Sequence, residues 1–141
     1  MGGSTQTAPA SRRLVTRGET RTIRFAGWRS RGFSLHTTAH GVVADRPDWR
    51  FSFEEEALFA LKRQWLTNWG MVGVETPHGL FRIRFAGGVD LLHLRVAGSC
   101  SVEGVSGCFA GWRSTGVYAG QARLRFEVIF TLEWPQELES I

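Results

Sequence analysis

Apolar and polar residues alternate through most of the chain. In Arg21-Thr-Ile-Arg-Phe25 the apolar positions are Ile23 and Phe25, and Phe33, Leu35, Thr37, Ala39 and Val43 continue one face. Trp49, Phe51 and Phe53 alternate with Arg50 and Ser52; Phe81, Ile83 and Phe85 alternate with Arg82 and Arg84; Leu92, Leu94 and Val96 alternate with His93 and Arg95. The longest run puts Leu124, Phe126, Val128, Phe130 and Leu132 on one face, with Arg123, Arg125, Glu127 and Thr131 opposite. A period of two with arginine on the second face predicts half-buried strands of an antiparallel sheet. Asn68-Trp-Gly70, Pro77-His-Gly79, Gly87-Gly88 and the segment from Gly104 to Gly107 read as turns between them.

Short strands separated by glycine turns predict an all-β fold, an antiparallel closed barrel of about eight strands. Residues 1–20, rich in Gly, Ser, Thr, Pro and Arg without apolar periodicity, read as a flexible N-terminal arm ahead of a barrel domain over 21–141. One segment is ambiguous. Glu54 to Trp65 carries helix formers with acids first and bases last, and Leu58, Leu61 and Trp65 share a helical face, although Phe59, Leu61 and Trp65 also share a strand face. The expectation is at most one short helix there, running into a strand.

The chain repeats itself locally: Ile23-Arg-Phe-Ala-Gly27 returns at Ile83–Gly87, and Phe25-Ala-Gly-Trp-Arg-Ser30 at Phe109–Ser114. The unequal offsets exclude a solenoid. Reuse of one strand-end geometry is the favoured explanation over a pseudo-symmetric barrel with Trp28 and Trp112 at matching positions.

Charge narrows the partners. Residues 1–31 hold seven arginines and one acid, Glu19, whereas residues 32–141 carry a net charge of −2. The body of the domain therefore offers no excess to a phosphate backbone. The arginines from Arg12 to Arg31, with Phe25, Trp28 and Phe33 between them, leave a nucleic-acid module as one reading. They alternate with interior residues as on any barrel exterior, so no nucleic-acid partner is expected. No apolar run approaches the roughly 18 residues of a membrane span, and no export signal opens the chain. The expected setting is cytoplasmic, without a membrane, and with Cys100 and Cys108 as reduced thiols. Leu91, Val42 and Ile129, read as exposed, make a homodimer the default.

The sequence carries no conventional catalytic or metal-binding signature. His36 and His40 on a strand lie about 13 Å apart, too far to share one ion, and no Cys-x-x-Cys is present. Neither cysteine sits in a nucleophile signature, and Gly70-Met-Val-Gly73 lacks the lysine of a phosphate loop. No metal and no cofactor is expected. Glu75 and Glu103 lie beside apolar strand positions, and either would be a raised-pKa carboxyl if it pointed inward. What remains is an unusual stock of rings: six tryptophans, ten phenylalanines and Tyr118. Tryptophan and tyrosine need partners for their N–H and O–H, which suits a pocket wall better than a sealed core.

Trp69-Gly-Met-Val-Gly73, Gly79-Leu-Phe-Arg-Ile-Arg-Phe85, Gly104-Val-Ser-Gly-Cys-Phe-Ala-Gly111, Gly116-Val-Tyr-Ala-Gly120 and a long amphipathic last strand together resemble the allene-oxide-cyclase-like barrel superfamily. That superfamily includes bacterial polyketide cyclases, notably spirotetronate cyclases and small decalin-forming cycloaddition enzymes. The resemblance covers roughly residues 65–133. The sequence departs from it at Gln121-Ala122, where such barrels often carry a further glycine, and no catalytic acid or base carries over residue by residue. It implies a cofactor-independent cyclase of polyketide biosynthesis, folding a linear polyene for intramolecular cycloaddition and taking a small apolar substrate. On that reading Trp69 and Tyr118 are the expected hydrogen-bond donors of catalysis. Trp65, Met71, Phe109, Trp112, Trp28 and Phe126 are expected to bind substrate. A carrier of the same architecture, holding an apolar molecule without converting it, is the alternative.

Overall fold

In the computed structural model, which describes residues 10–29, 31–60 and 65–141, the alternation closes on itself. The strands are β1 (Ala10–Arg29), β2 (Gly32–Val43), β3 (Arg46–Ala60), β4 (Trp65–Thr76), β5 (Gly79–Asp90), β6 (Arg95–Gly104), β7 (Arg113–Gln121) and β8 (Arg125–Trp134). Each pairs antiparallel with the next and β8 pairs with β1, giving a closed eight-stranded barrel. Closure leaves the paired region without an open edge and forces alternate side chains inward.

Several sequence expectations change at this level. Residues 10–20, expected within a flexible arm, are strand: β1 begins at Ala10, pairs with β8 from Ala10↔Trp134 to Glu19↔Arg125, and buries Leu14 and Thr16. Residues 1–9 lie outside the described residues. The helix expected over 54–65 is strand as far as Ala60, because Glu54 to Leu58 are paired on both sides, to β2 and to β4. Residues 61–64 lie outside the described residues. Leu92 and Leu94 belong to the β5–β6 turn, where Leu94 takes a φ of 52°. Asn68-Trp69-Gly70 and Gly87-Gly88 are interior to strands. Val42 and Ile129 are half-buried.

The repeated Phe-Ala-Gly-Trp segments do share a geometry. Gly27 and Gly111 both have positive φ, 114° and 80°, which a side chain would strain. Their surroundings differ: Trp28 is 73% exposed on the β1–β2 hairpin, whereas Trp112 packs at the opposite end of the barrel. A reused local bend, without barrel symmetry, accounts for the repeat.

The two ends of the barrel are built differently. At the end bearing the β2–β3, β4–β5 and β6–β7 connections, Trp49, Phe81, Phe109, Trp112 and Trp134 form one contiguous plug. Ring centroids lie 4.9 Å apart for Phe81–Phe109 and 4.8 Å for Trp112–Trp134. Trp134 Nε1 donates to the Leu138 carbonyl at 2.8 Å, and the Arg12 guanidinium lies 4.5 Å from its ring. The opposite end carries Ile23, Leu91, Leu94 and Leu124, all exposed. Beyond Glu19, β1 has lost β8 and pairs only with β2, so the β1–β2 ribbon continues past the barrel wall with Phe25, Trp28 and Phe33 in mutual contact.

Candidate active site

Between plug and mouth the inward residues leave a cavity of about 790 Å³. Phe51, Phe53, Ala57 and Phe59 of β3 line it, with Val72 of β4, Phe85 of β5 and Phe126, Val128 and Phe130 of β8. Phe53 and Phe85 stack with centroids 5.4 Å apart, and Phe85 meets Tyr118 edge-on at 5.3 Å. Leu91, Leu94, Leu124, Arg123 and Arg125 frame the mouth. A space of this size and lining suits a small apolar molecule.

The wall carries Thr16, Thr20 and Thr37 and, more polar than these, one hydrogen-bonded system of side chains. Tyr118, Gly98, Gly87, Asn68 and Ala57 are directly paired neighbours across β7, β6, β5, β4 and β3. A Cβ on Gly87 would lie 2.7 Å from the Tyr118 hydroxyl, and one on Gly98 would lie 2.8 Å from its ring. Two bare glycines therefore let the Tyr118 side chain lie flat along the wall and reach β4. Its hydroxyl donates to Asn68 Oδ1 at 3.3 Å, and Asn68 Nδ2 donates to Glu55 Oε2 at 2.9 Å. Asn68 is 1% exposed, and these two bonds satisfy both ends of its amide.

Burial shapes the titration of this system. Desolvation raises the Glu55 pKa, partly offset by the Asn68 hydrogen bond. Tyr118 is pushed up to about 12, first by desolvation, with the nearby Glu55 and Cys100 adding to the rise against the Asn68 bond. Desolvation alone pushes the Cys100 thiol to about 11. Tyr118 and Cys100 are therefore uncharged at neutral pH.

A stability signature follows for Glu55. A carboxyl whose folded-state pKa lies above its unfolded value stabilises the fold most below the unfolded pKa, and that contribution is lost as pH rises through the folded one. Melting temperature should therefore fall as pH rises from the ordinary value of 4.5 through the raised one. Glu55→Gln should flatten that part of the curve, as thermal melts at a series of pH values would measure.

The residues expected from sequence divide sharply. Tyr118 and Phe126 line the cavity. Trp69 does not: it is 41% exposed, because Asn68, its strand neighbour, takes the inward position. Trp69 and Met71 border an outer concavity of about 410 Å³ with His36, Glu56 and Arg84, which Glu55 and Phe85 also line. Phe109 and Trp112 belong to the plug, because they lie on or beside the 3-10 turn Gly107–Phe109 that closes that end. Trp28 stands on the projecting ribbon. Trp65 opens β4, and its side chain lies outside the described residues. Glu75 and Glu103 both point to solvent. His36 pairs with Glu56 at 2.6 Å and His40 with Arg21. Among the described residues no group of acids, histidines and cysteines could hold a metal ion, and both cysteines are free thiols. Sequence reading missed Asn68, and it takes Glu55, with Glu54 and Glu56, for a solvated acid at a helix start rather than a cavity residue. Strand alternation continued from Trp49, Phe51 and Phe53 would have placed Glu55 inward, with Glu54 and Glu56 outside.

The barrel fold is shared with three solved structures. A nonspecific heme-binding cyclase catalysing 4 + 2 cycloaddition during neoabyssomicin biosynthesis matches with TM-score 0.53 and 14% identity, over 87% of this chain and 63% of that one. AbnU, an exo-specific intermolecular Diels-Alderase, matches with TM-score 0.54 and 11% identity, over 87% of this chain and 98% of that one. The Diels Alderase AbmU from Streptomyces koyangensis matches with TM-score 0.55 and 15% identity, over 94% of this chain and 73% of that one. This chain thus spans less than two thirds of the heme-binding cyclase. No family model and no curated protein matches the sequence.

Proposed function

We propose that the protein is a cofactor-independent cyclase of natural-product biosynthesis, folding a linear polyene inside the barrel and promoting an intramolecular 4 + 2 cycloaddition. The observation that carries this reading is the cavity, open at one end, plugged at the other and lined by stacked rings with one embedded polar system. The fold shared with Diels-Alderases supports the reaction class.

The chemistry asks little of side chains. A concerted ring closure forms its bonds without a nucleophile or a proton shuttle. The barrier lies largely in bringing a floppy chain's diene and dienophile face to face. A rigid cavity that holds the folded conformer removes several kcal/mol of that cost. Phe53, Phe85 and Phe126 supply flat walls for a conjugated chain, and the plug prevents it from threading through. The Tyr118–Asn68–Glu55 system gives the chain one point at which a polar atom is welcome, which fixes its register.

The test is incubation with a linear polyene carrying a diene and an activated alkene, followed by mass spectrometry and chromatography. An isomer of equal mass with one more ring, formed faster than in buffer, is the expected product. Recovery of the bound, unaltered compound would make the protein a carrier. Tyr118→Phe should slow cyclisation about tenfold, or about 1.4 kcal/mol, by releasing Asn68 and loosening Glu55. Trp69→Ala, on the outer wall, should leave the rate unchanged.

A further inference from the structure

The donors of the cavity point away from Tyr118 as the group that touches substrate. Its single O–H is given to Asn68, and the Thr16 hydroxyl is given to the Val128 carbonyl at 2.7 Å. Asn68 spends one N–H on Glu55. Glu55 is the one carboxyl among the described residues lining the cavity, and its inward neighbours on β3 are Phe53 and Ala57. Oε2 accepts from Asn68, and among the described residues Oε1 has no hydrogen-bond partner.

The paired neighbours of Glu55 are uncharged, while the outer concavity that it also borders holds Glu54, Arg84 and the His36–Glu56 pair. On β2 it is paired with Thr37 and on β4 with Gly70, neither of which is charged. Tyr118 and Cys100, across the wall, are protonated at neutral pH. The cavity's cations, Arg123 and Arg125, stand at the mouth, and Arg125 pairs with Glu19. Asn68 donates to Glu55, so a protonated Glu55 keeps its own O–H to give elsewhere.

We propose that Glu55, set in the apolar wall beside Asn68, donates a hydrogen bond from its carboxyl to a carbonyl oxygen of the bound molecule, so that the substrate class is a linear polyene with a carbonyl conjugated to its reacting alkene. The inference rests on the cyclase reading and names the polar end of its substrate. A donor on that oxygen draws electron density from the alkene and stabilises the charge that builds there as the ring closes. In a dry cavity such a bond is stronger than in water. Asn68 and Tyr118 are positioning residues: they hold one oxygen of the carboxyl against the wall and leave the other without a bond to them. A carboxylic acid kept neutral by apolar surroundings and used as a hydrogen-bond donor is established chemistry in enzymes.

The experiment uses a linear 2,4-dienone of about ten carbons, labelled with carbon-13 at the carbonyl, and the full chain as wild type, Glu55→Gln and Glu55→Leu. Leucine fills a similar volume but leaves the buried Asn68 Nδ2 without its acceptor, so the variant should fold with a lower melting temperature, as circular dichroism would verify. In wild type the bound carbonyl resonance should move downfield relative to Glu55→Leu, and Glu55→Gln, which retains an N–H donor, should restore part of the shift. With a cyclisable substrate, Glu55→Leu should be about a hundredfold slower and Glu55→Gln intermediate. Identical carbonyl resonances in wild type and Glu55→Leu would overturn the proposal, as would binding of the matching hydrocarbon polyene but not of the dienone. A downfield shift without any turnover would uphold the hydrogen bond while removing the cyclase reading.

Discussion

Replacing Ala57 by tryptophan should abolish product formation while the barrel stays folded. Ala57 sits on β3 between Leu35 of β2 and Asn68 of β4, with its methyl group lining the cavity. An indole there projects into open space over the hydrogen-bonded system and takes the volume a guest would need. Overpacking costs typically about 1–3 kcal/mol where a core is full. The space in front of Ala57 keeps the cost toward the lower end, within the roughly 5–15 kcal/mol stability of a domain. The expected result is a loss of turnover of at least about a hundredfold, or about 2.7 kcal/mol or more, with a melting temperature near that of wild type. Chromatographic product assays and thermal melts on the same preparation would measure both.

The largest effect on stability should come from the other end. Trp49→Ala removes the ring that touches Phe81, Phe109 and Trp134 at centroid distances of 6.1, 6.2 and 6.4 Å. It also removes the aromatic face approached by the Arg12 and Arg46 guanidinium groups, each 5.3 Å from the centroid. Trp49 is 1% exposed, and its neighbours are held by strand pairing, so collapse into the gap is limited. The expected loss is about 3–5 kcal/mol, measured as a lower midpoint of urea unfolding with little change in slope. A loss below about 1 kcal/mol would mean that the plug is not a packed unit.

What could be read from sequence was the direction of side chains along well-formed strands. Phe81-Ile83-Phe85 and Phe126-Val128-Phe130-Leu132 point inward as their alternation says. Alternation reports which face a residue takes but not whether anything covers that face. Ile23 and Phe25 are therefore exposed, because the ribbon carrying them has run past the end of β8. Propensity misled at Glu54–Ala60, where helix formers sit in a strand whose inward positions are set by pairing on both sides. Glycine misled at Gly87, which reads as a turn but, together with Gly98, leaves the space Tyr118 needs to reach Asn68. Trp69 was attractive as an aromatic donor, yet its neighbour Asn68 holds the inward position; reading Asn68-Trp69-Gly70 as a turn hid that parity. The candidate site was half legible because a ring announces itself in a sequence, whereas an inward carboxyl becomes visible only once the register is known.

The proposed cyclisation requires a guest lying inside the barrel, between the phenylalanine walls and the Glu55–Asn68–Tyr118 system. The most direct measurement is the set of nuclear Overhauser contacts between a bound linear polyene and assigned protein protons. Contacts to Phe53, Phe85, Phe126 and Val128, lost in Ala57→Trp, are the predicted result. Contacts confined to Trp69 and Met71 on the outer wall, unchanged in Ala57→Trp, would contradict it.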